Sequence, residues 1–142
     1  MKKKTEELLE LMKNSPDYQE YLETNRGEIS VGLMKVNRAL ASLLAEREMK
    51  KSEVIERSGI ETHYAYQIFS GAKVPTRDKM LMLCVGFRLS PDEAQNLLKL
   101  TGYSALYGRE LRDNAVLFGL TKNLSVVELN GILYDLGLDL LL

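Results

Sequence analysis

Between Lys51 and Ser70 the chain has room for two short helices and almost nothing between them. Lys51 to Arg57 reads as one helix, Ser58-Gly59 interrupts it, and a second runs from about Glu61 to Phe69 before Gly71 stops it. Two helices joined so tightly must meet at a steep angle, and the turn needs a residue that tolerates positive φ, which Gly59 supplies. Val54, Ile55, Ile60, Ala65 and Ile68 fall where such an angle must be filled with apolar side chains. This segment therefore constrains the fold more than any other.

The rest of the chain is punctuated as helices too. Thr5 to Lys13 carries Leu8, Leu11 and Met12 on one face, and Ser15-Pro16 reads as the N-cap and first residue of a second short helix that ends at Asn25-Arg26-Gly27. Ser30 is expected to cap a longer helix reaching Arg47, with Leu33, Val36, Leu40, Leu43 and Leu44 at helical spacing. Pro75-Thr76 opens a connector to a helix from Arg77 to Phe87, and Ser90-Pro91-Asp92-Glu93 is a capping box with Pro at the first helical position. That helix ends at Gly102. No stretch alternates with period two, so the expected class is all-α without a sheet.

Residues 40–93 resemble the Xre-type, lambda-repressor-like helix-turn-helix family. Glu53 to Ile60 is similar to the family's second helix and turn, Tyr64 to Gly71 to its recognition helix and following glycine, and Ala72-Lys73-Val74-Pro75 to its basic, proline-ended connector. The large and small residues at Ile55 and Ala65 are exchanged relative to the family, which roughly preserves volume. Lys50 and Glu61 stand where the family tends to place Ser or Thr. The resemblance implies a DNA-binding bundle with a recognition helix at 61–69. Base contacts would come from Thr62, His63, Tyr66 and Gln67, with Gln67 suited to adenine and His63 to guanine N7 or O6. Thr62 would meet a thymine methyl or a phosphate, and Tyr66 a phosphate or sugar. Lys51 would clamp phosphate, with Lys50, Lys73 and Arg77 in supporting roles.

After the motif the sequence repeats itself at one offset, 35 residues. Arg77-Asp78 pairs with Arg112-Asp113, Leu89-Ser90 with Leu124-Ser125, Glu93 with Glu128, Leu97-Leu98 with Ile132-Leu133, and Gly102 with Gly137; Gln95 and Asn130 agree in kind. Each copy reads as a helix, a capping-box turn, a second helix and a terminal glycine. The second hairpin is expected to stack on the first. The connector Tyr103 to Gly108 should pack, and the apolar end Leu136 to Leu142 should dock. The expected organisation is an N-terminal helical extension over 1–29, a DNA-binding domain over 30–102 and a C-terminal hairpin over 103–142.

Charge narrows the function classes. Net charge is −1, which argues against coating DNA by charge alone, but residues 30–78 hold eight Lys and Arg against six Asp and Glu. The sequence offers no phosphate loop, no metal-ligand cluster and no nucleophile–base pair, so no enzyme, cofactor or metal is expected. Cys84, the only cysteine, lies in an apolar run and reads as a buried thiol. No apolar run approaches the ~20 residues of a membrane span. Lys2-Lys3-Lys4 is followed by residues too acidic for a signal peptide, so a cytoplasmic protein is expected. The leading expectation is a sequence-specific transcriptional regulator, a repressor, binding double-stranded DNA as a homodimer. The alternative is a protein-interaction adaptor that keeps the fold, with a partner docking on the C-terminal hairpin.

Overall fold

The computed structural model describes residues 5–25 and 33–142, and all regular structure among them is helical. The chain divides into two compact units, residues 1–33 and residues 34–142, so residues 103–142 share one unit with the segment before them.

The first unit holds α1 (Thr5–Lys13) and α2 (Tyr18–Asn25). Leu8 and Leu11 are half-buried, Met12 is exposed, and Tyr21 is the buried aromatic, with its ring 6.1 Å from that of Tyr18. Asp17, not Ser15, caps α2: its Oδ1 accepts from the Glu20 amide at 2.8 Å. Ser15 is turned back toward α1, donating to the Leu11 carbonyl at 2.8 Å. A carboxylate is the stronger acceptor at the positive end of a helix, and Pro16 is left outside it.

The second unit runs through α3 (Val36–Arg47), α4 (Lys51–Ser58), α5 (Thr62–Ser70), α6 (Arg77–Gly86), α7 (Pro91–Thr101), α8 (Leu111–Thr121) and α9 (Val126–Asp135). Ser30 lies outside the described residues. The helix assigned to it starts at Val36, because Lys35 is extended (φ −65°, ψ 142°) and the Met34 amide is drawn to the Leu100 carbonyl at 3.1 Å. In α6 every residue from Met80 to Gly86 is buried, the mark of a helix surrounded on all sides. α4, α7 and α8 pack on it, while α3 covers α5 and α7. Within this core Cys84 is fully buried, which pushes its thiol up to about 12.

The 35-residue repeat is structural. Ser90 and Ser125 both cap their helices in complete capping boxes with Glu93 and Glu128. Arg88 and Asn123 both turn the chain in the left-handed region, at φ 56° and 53°. Leu98 and Leu133 are both fully buried; Leu97 is buried and Ile132 half-buried, since only α7 has α3 packed against it.

The equivalence continues past the matched sequence. Gln95 holds the Leu106 backbone in both directions at 2.8 and 2.7 Å, and Asn130 holds that of Leu141 at 3.0 and 2.8 Å. The tail thus docks as expected, with Leu141 fully buried.

The two copies meet through a reciprocal exchange. The Arg77 guanidinium grips the Asp113 carboxylate at 3.1 and 3.0 Å, and that of Arg112 grips Asp78 at 2.9 and 2.8 Å. Each arginine also ties down the tail of its own hairpin. Arg77 donates to the Ser104 and Ala105 carbonyls, both at 3.0 Å, and Arg112 to those of Asp139 and Leu140 at 2.9 and 3.1 Å. A contact made once in each direction is the signature of isologous pairing, which closes on itself instead of propagating as a solenoid.

Burial alone would raise the Asp113 carboxyl. Hydrogen bonds from Arg77 and the Tyr107 amide, with the charge of Arg77, outweigh it and hold the group below its ordinary value of 3.8. A carboxylate depressed in the folded state stabilises above its unfolded pKa and loses that contribution as pH falls through the folded one. Asp113→Asn should therefore cost about 1–3 kcal/mol at neutral pH. Urea melts across pH should show the deficit shrinking below about pH 4.

Candidate nucleic-acid interface

The segment from α4 to α5 is built on a close approach. A Cβ on Gly86 would lie 2.6 Å from the Val54 carbonyl oxygen and 3.2 Å from Ser58 Cβ, so α4 sits directly on the backbone of α6. Ser58 is fully buried by this packing and puts its hydroxyl to use, donating to the Ile55 carbonyl at 2.7 Å and accepting from the Ile60 amide at 3.2 Å. Gly59 turns the chain at φ 72°. On the inner side Val54, Ile55, Ile60, Ala65, Ile68 and Phe69 are buried in one core, which fixes which face of α5 is left outward.

That outer face carries the residues expected there. Thr62 and His63 are exposed, Tyr66 is 43% exposed, and Gln67 is half-buried. Lys50 and Lys51 are both exposed at the start of α4, and the Lys51 ammonium stands 5.6 Å from the centre of the Phe69 ring on α5. Tyr64 is half-buried beneath the Lys79 ammonium, 5.2 Å from its ring centre, and so belongs to the support of the helix. Past Gly71 (φ 89°) the Lys73 amide closes onto the Gln67 carbonyl at 3.1 Å, leaving the Lys73 side chain exposed.

Arg77 is a correction. Its guanidinium is committed to Asp113 and to two backbone carbonyls, so it is a structural clamp and not a phosphate contact. Lys35 takes a place the sequence reading missed. It lines, with Lys73, a cleft of 620 Å³ between the start of α3 and the α5–α6 connector. Once α3 was taken to begin at Ser30, Lys35 lay inside a helix, and no local signal marks it out.

The other end of α5 is acidic. Glu61 is its N-cap, accepting from the Tyr64 amide at 2.7 Å and the His63 amide at 2.9 Å, bonds that hold its carboxyl below the usual glutamate range. Beside it a cleft of 480 Å³ is lined by Glu56, Arg57 and Lys79 and by Val126 and Val127 at the start of α9. A Cβ on Gly59 would stand 3.5 Å from Val126 Cγ1, so the second hairpin abuts the turn.

α9 presents a different kind of surface. Val127 is 82% and Tyr134 74% exposed, with exposed Gly131 between them on the same face. The equivalent positions of α7 are Asp92, Asn96 and Lys99, all exposed and all polar. The stripe on α7 is thus polar where the equivalent stripe on α9 is a valine, a glycine and a tyrosine.

Comparison with family models, curated proteins and solved structures finds no match to this chain. Among the described residues no helix is long and apolar enough to cross a membrane.

Two glycines separate the roles of packing and surface. Gly86→Ala should lower stability by about 1–3 kcal/mol, since a methyl there meets backbone that cannot turn aside. Gly131→Ala should raise it by about 0.5–1 kcal/mol, because the site is helical with open space around it. Denaturant melts of the two variants beside the parent check both signs.

Proposed function

We propose that this protein is a sequence-specific DNA-binding regulator of the lambda-repressor-like kind, acting as a repressor, with α5 as its reading helix. One observation carries the reading: α5 buries Ala65 and Ile68 and leaves Thr62, His63 and Tyr66 exposed and Gln67 half-buried, beside exposed Lys51. An amide, an imidazole and a hydroxyl in one row match the donor and acceptor pattern of the major groove. Lysines at the start of α4 and after α5 flank that row, as phosphates flank a groove. Lys50, Lys51, Lys73 and Lys35 are the clamps we assign. One reading helix covers only a half-site, so the regulator binds as a homodimer, and the Val127–Gly131–Tyr134 stripe is the surface we assign to pairing.

The same stripe favours a second reading, an adaptor that docks a different protein on the C-terminal hairpin and leaves DNA alone. The two readings part at α5. Under the first, Gln67→Ala should relax base preference at one position of the selected duplex and weaken specific binding by ~1–3 kcal/mol. Lys51→Ala should weaken binding to every duplex and flatten the salt dependence by about one unit of slope. Binding isotherms on selected and random duplexes over a range of salt check both. An unchanged specificity ratio for Gln67→Ala would put the wrong face of α5 on DNA.

A further inference from the structure

The Glu61 carboxylate caps α5 with both of its oxygens. One oxygen accepts from the His63 amide and the other from the Tyr64 amide, at 2.9 and 2.7 Å, while the side chain stays exposed beside Thr62 and His63. Two chemical consequences follow. The first amides of α5, which would otherwise attract a phosphate, are spent on Glu61, and its charge repels one. Each carboxylate oxygen nevertheless keeps acceptor capacity, and an ionised carboxylate can only accept. In the major groove guanine offers N7 and O6 and thymine O4, all acceptors that a carboxylate repels. Adenine offers an amino group beside the N7 acceptor. Cytosine offers its N4 amino group with no acceptor of its own beside it.

We propose that Glu61 is a base-reading residue that selects cytosine at one position of the bound duplex. The inference rests on the DNA-reading function of α5 proposed above. A carboxylate fixed by two backbone bonds loses little freedom on contact, which suits it to discrimination. It also explains why a helix that should approach a polyanion starts with a negative charge: the charge costs affinity for phosphate everywhere and returns selectivity at one base.

The chain supplies its own control. Glu110 caps α8 in the same manner, accepting from the amides of Arg112 at 3.1 Å and Asp113 at 2.7 Å, away from the reading face. A merely structural cap would behave alike at both places. The test is selection of bound duplexes from a random pool with the full chain, Glu61→Gln, Glu61→Ser and Glu110→Gln, each first shown to be folded by its thermal melt. The parent should select a motif containing one cytosine that Glu61→Gln prefers about tenfold less, other positions unchanged. Glu61→Ser, a favoured cap that secures the fold, should lose the same preference and bind all duplexes several-fold tighter at low salt. Glu110→Gln should return the parental motif. Identical motifs from the parent and both Glu61 variants would overturn the inference while leaving α5 as the reader. No motif from the parent would overturn both.

Discussion

The reciprocal clasp of Arg77 with Asp113 and Arg112 with Asp78 is the interaction on which the second unit turns. Each guanidinium makes a bidentate bond across the copies and two more to the tail of its own hairpin. Four segments are thereby tied at one point: the first turns of α6 and α8 and the two tails that follow α7 and α9. Such pairs are strong because planar guanidinium matches planar carboxylate and each group is partly withdrawn from water. The clasp fixes α6, the helix buried on all sides. α6 in turn carries α4 through the glycine contact at Gly86, and α4 carries the turn and α5. The outward face of α5 is thus placed through a series of contacts that begins at two ion pairs.

How much of this could be read beforehand depended on the range of the interaction. Caps are local, so Ser90 and Ser125 were legible with their glutamates, as were the stops at Gly71 and Gly102. The buried filling between α4 and α5 was legible because helical periodicity decides which residues face inward. Arg77 was misread because a basic residue after a basic connector looks like a phosphate contact, while its true partner lies 36 residues on. The offset that pairs Arg77 with Arg112 held the clue, yet it marks the arginines as equivalent without saying that each pairs with the other copy's aspartate. Beyond Gly137 the repeat fades from the sequence because Ser104, Ala105, Asp139 and Leu140 serve through backbone carbonyls, which any residue supplies. Ser15 was the expected cap of α2, but Asp17, a carboxylate two residues on, takes that place.

The candidate site was half legible. Thr62, His63 and Tyr66 are turned outward as the helix period required, and Lys51 stands at the head of α4. Glu61 stands where the resemblance sets Ser or Thr; that both of its carboxylate oxygens accept amides of α5 is geometry the residue type alone does not give. The α9 stripe could not be singled out from sequence, since a valine, a glycine and a tyrosine on one face are also what a core helix displays. It became visible only when the polar face of α7 showed what the same positions look like in contact with water.

The central claim, that α5 is the face that meets DNA, is tested most directly by adding a random-sequence duplex to isotopically labelled protein and following the backbone amide resonances. The account predicts salt-sensitive shifts confined to Lys50 and Lys51, to Thr62 through Gln67, and to Lys73 and Lys35. An unchanged spectrum at low salt, or shifts gathered on Val127, Gly131 and Tyr134 with α5 silent, would contradict it.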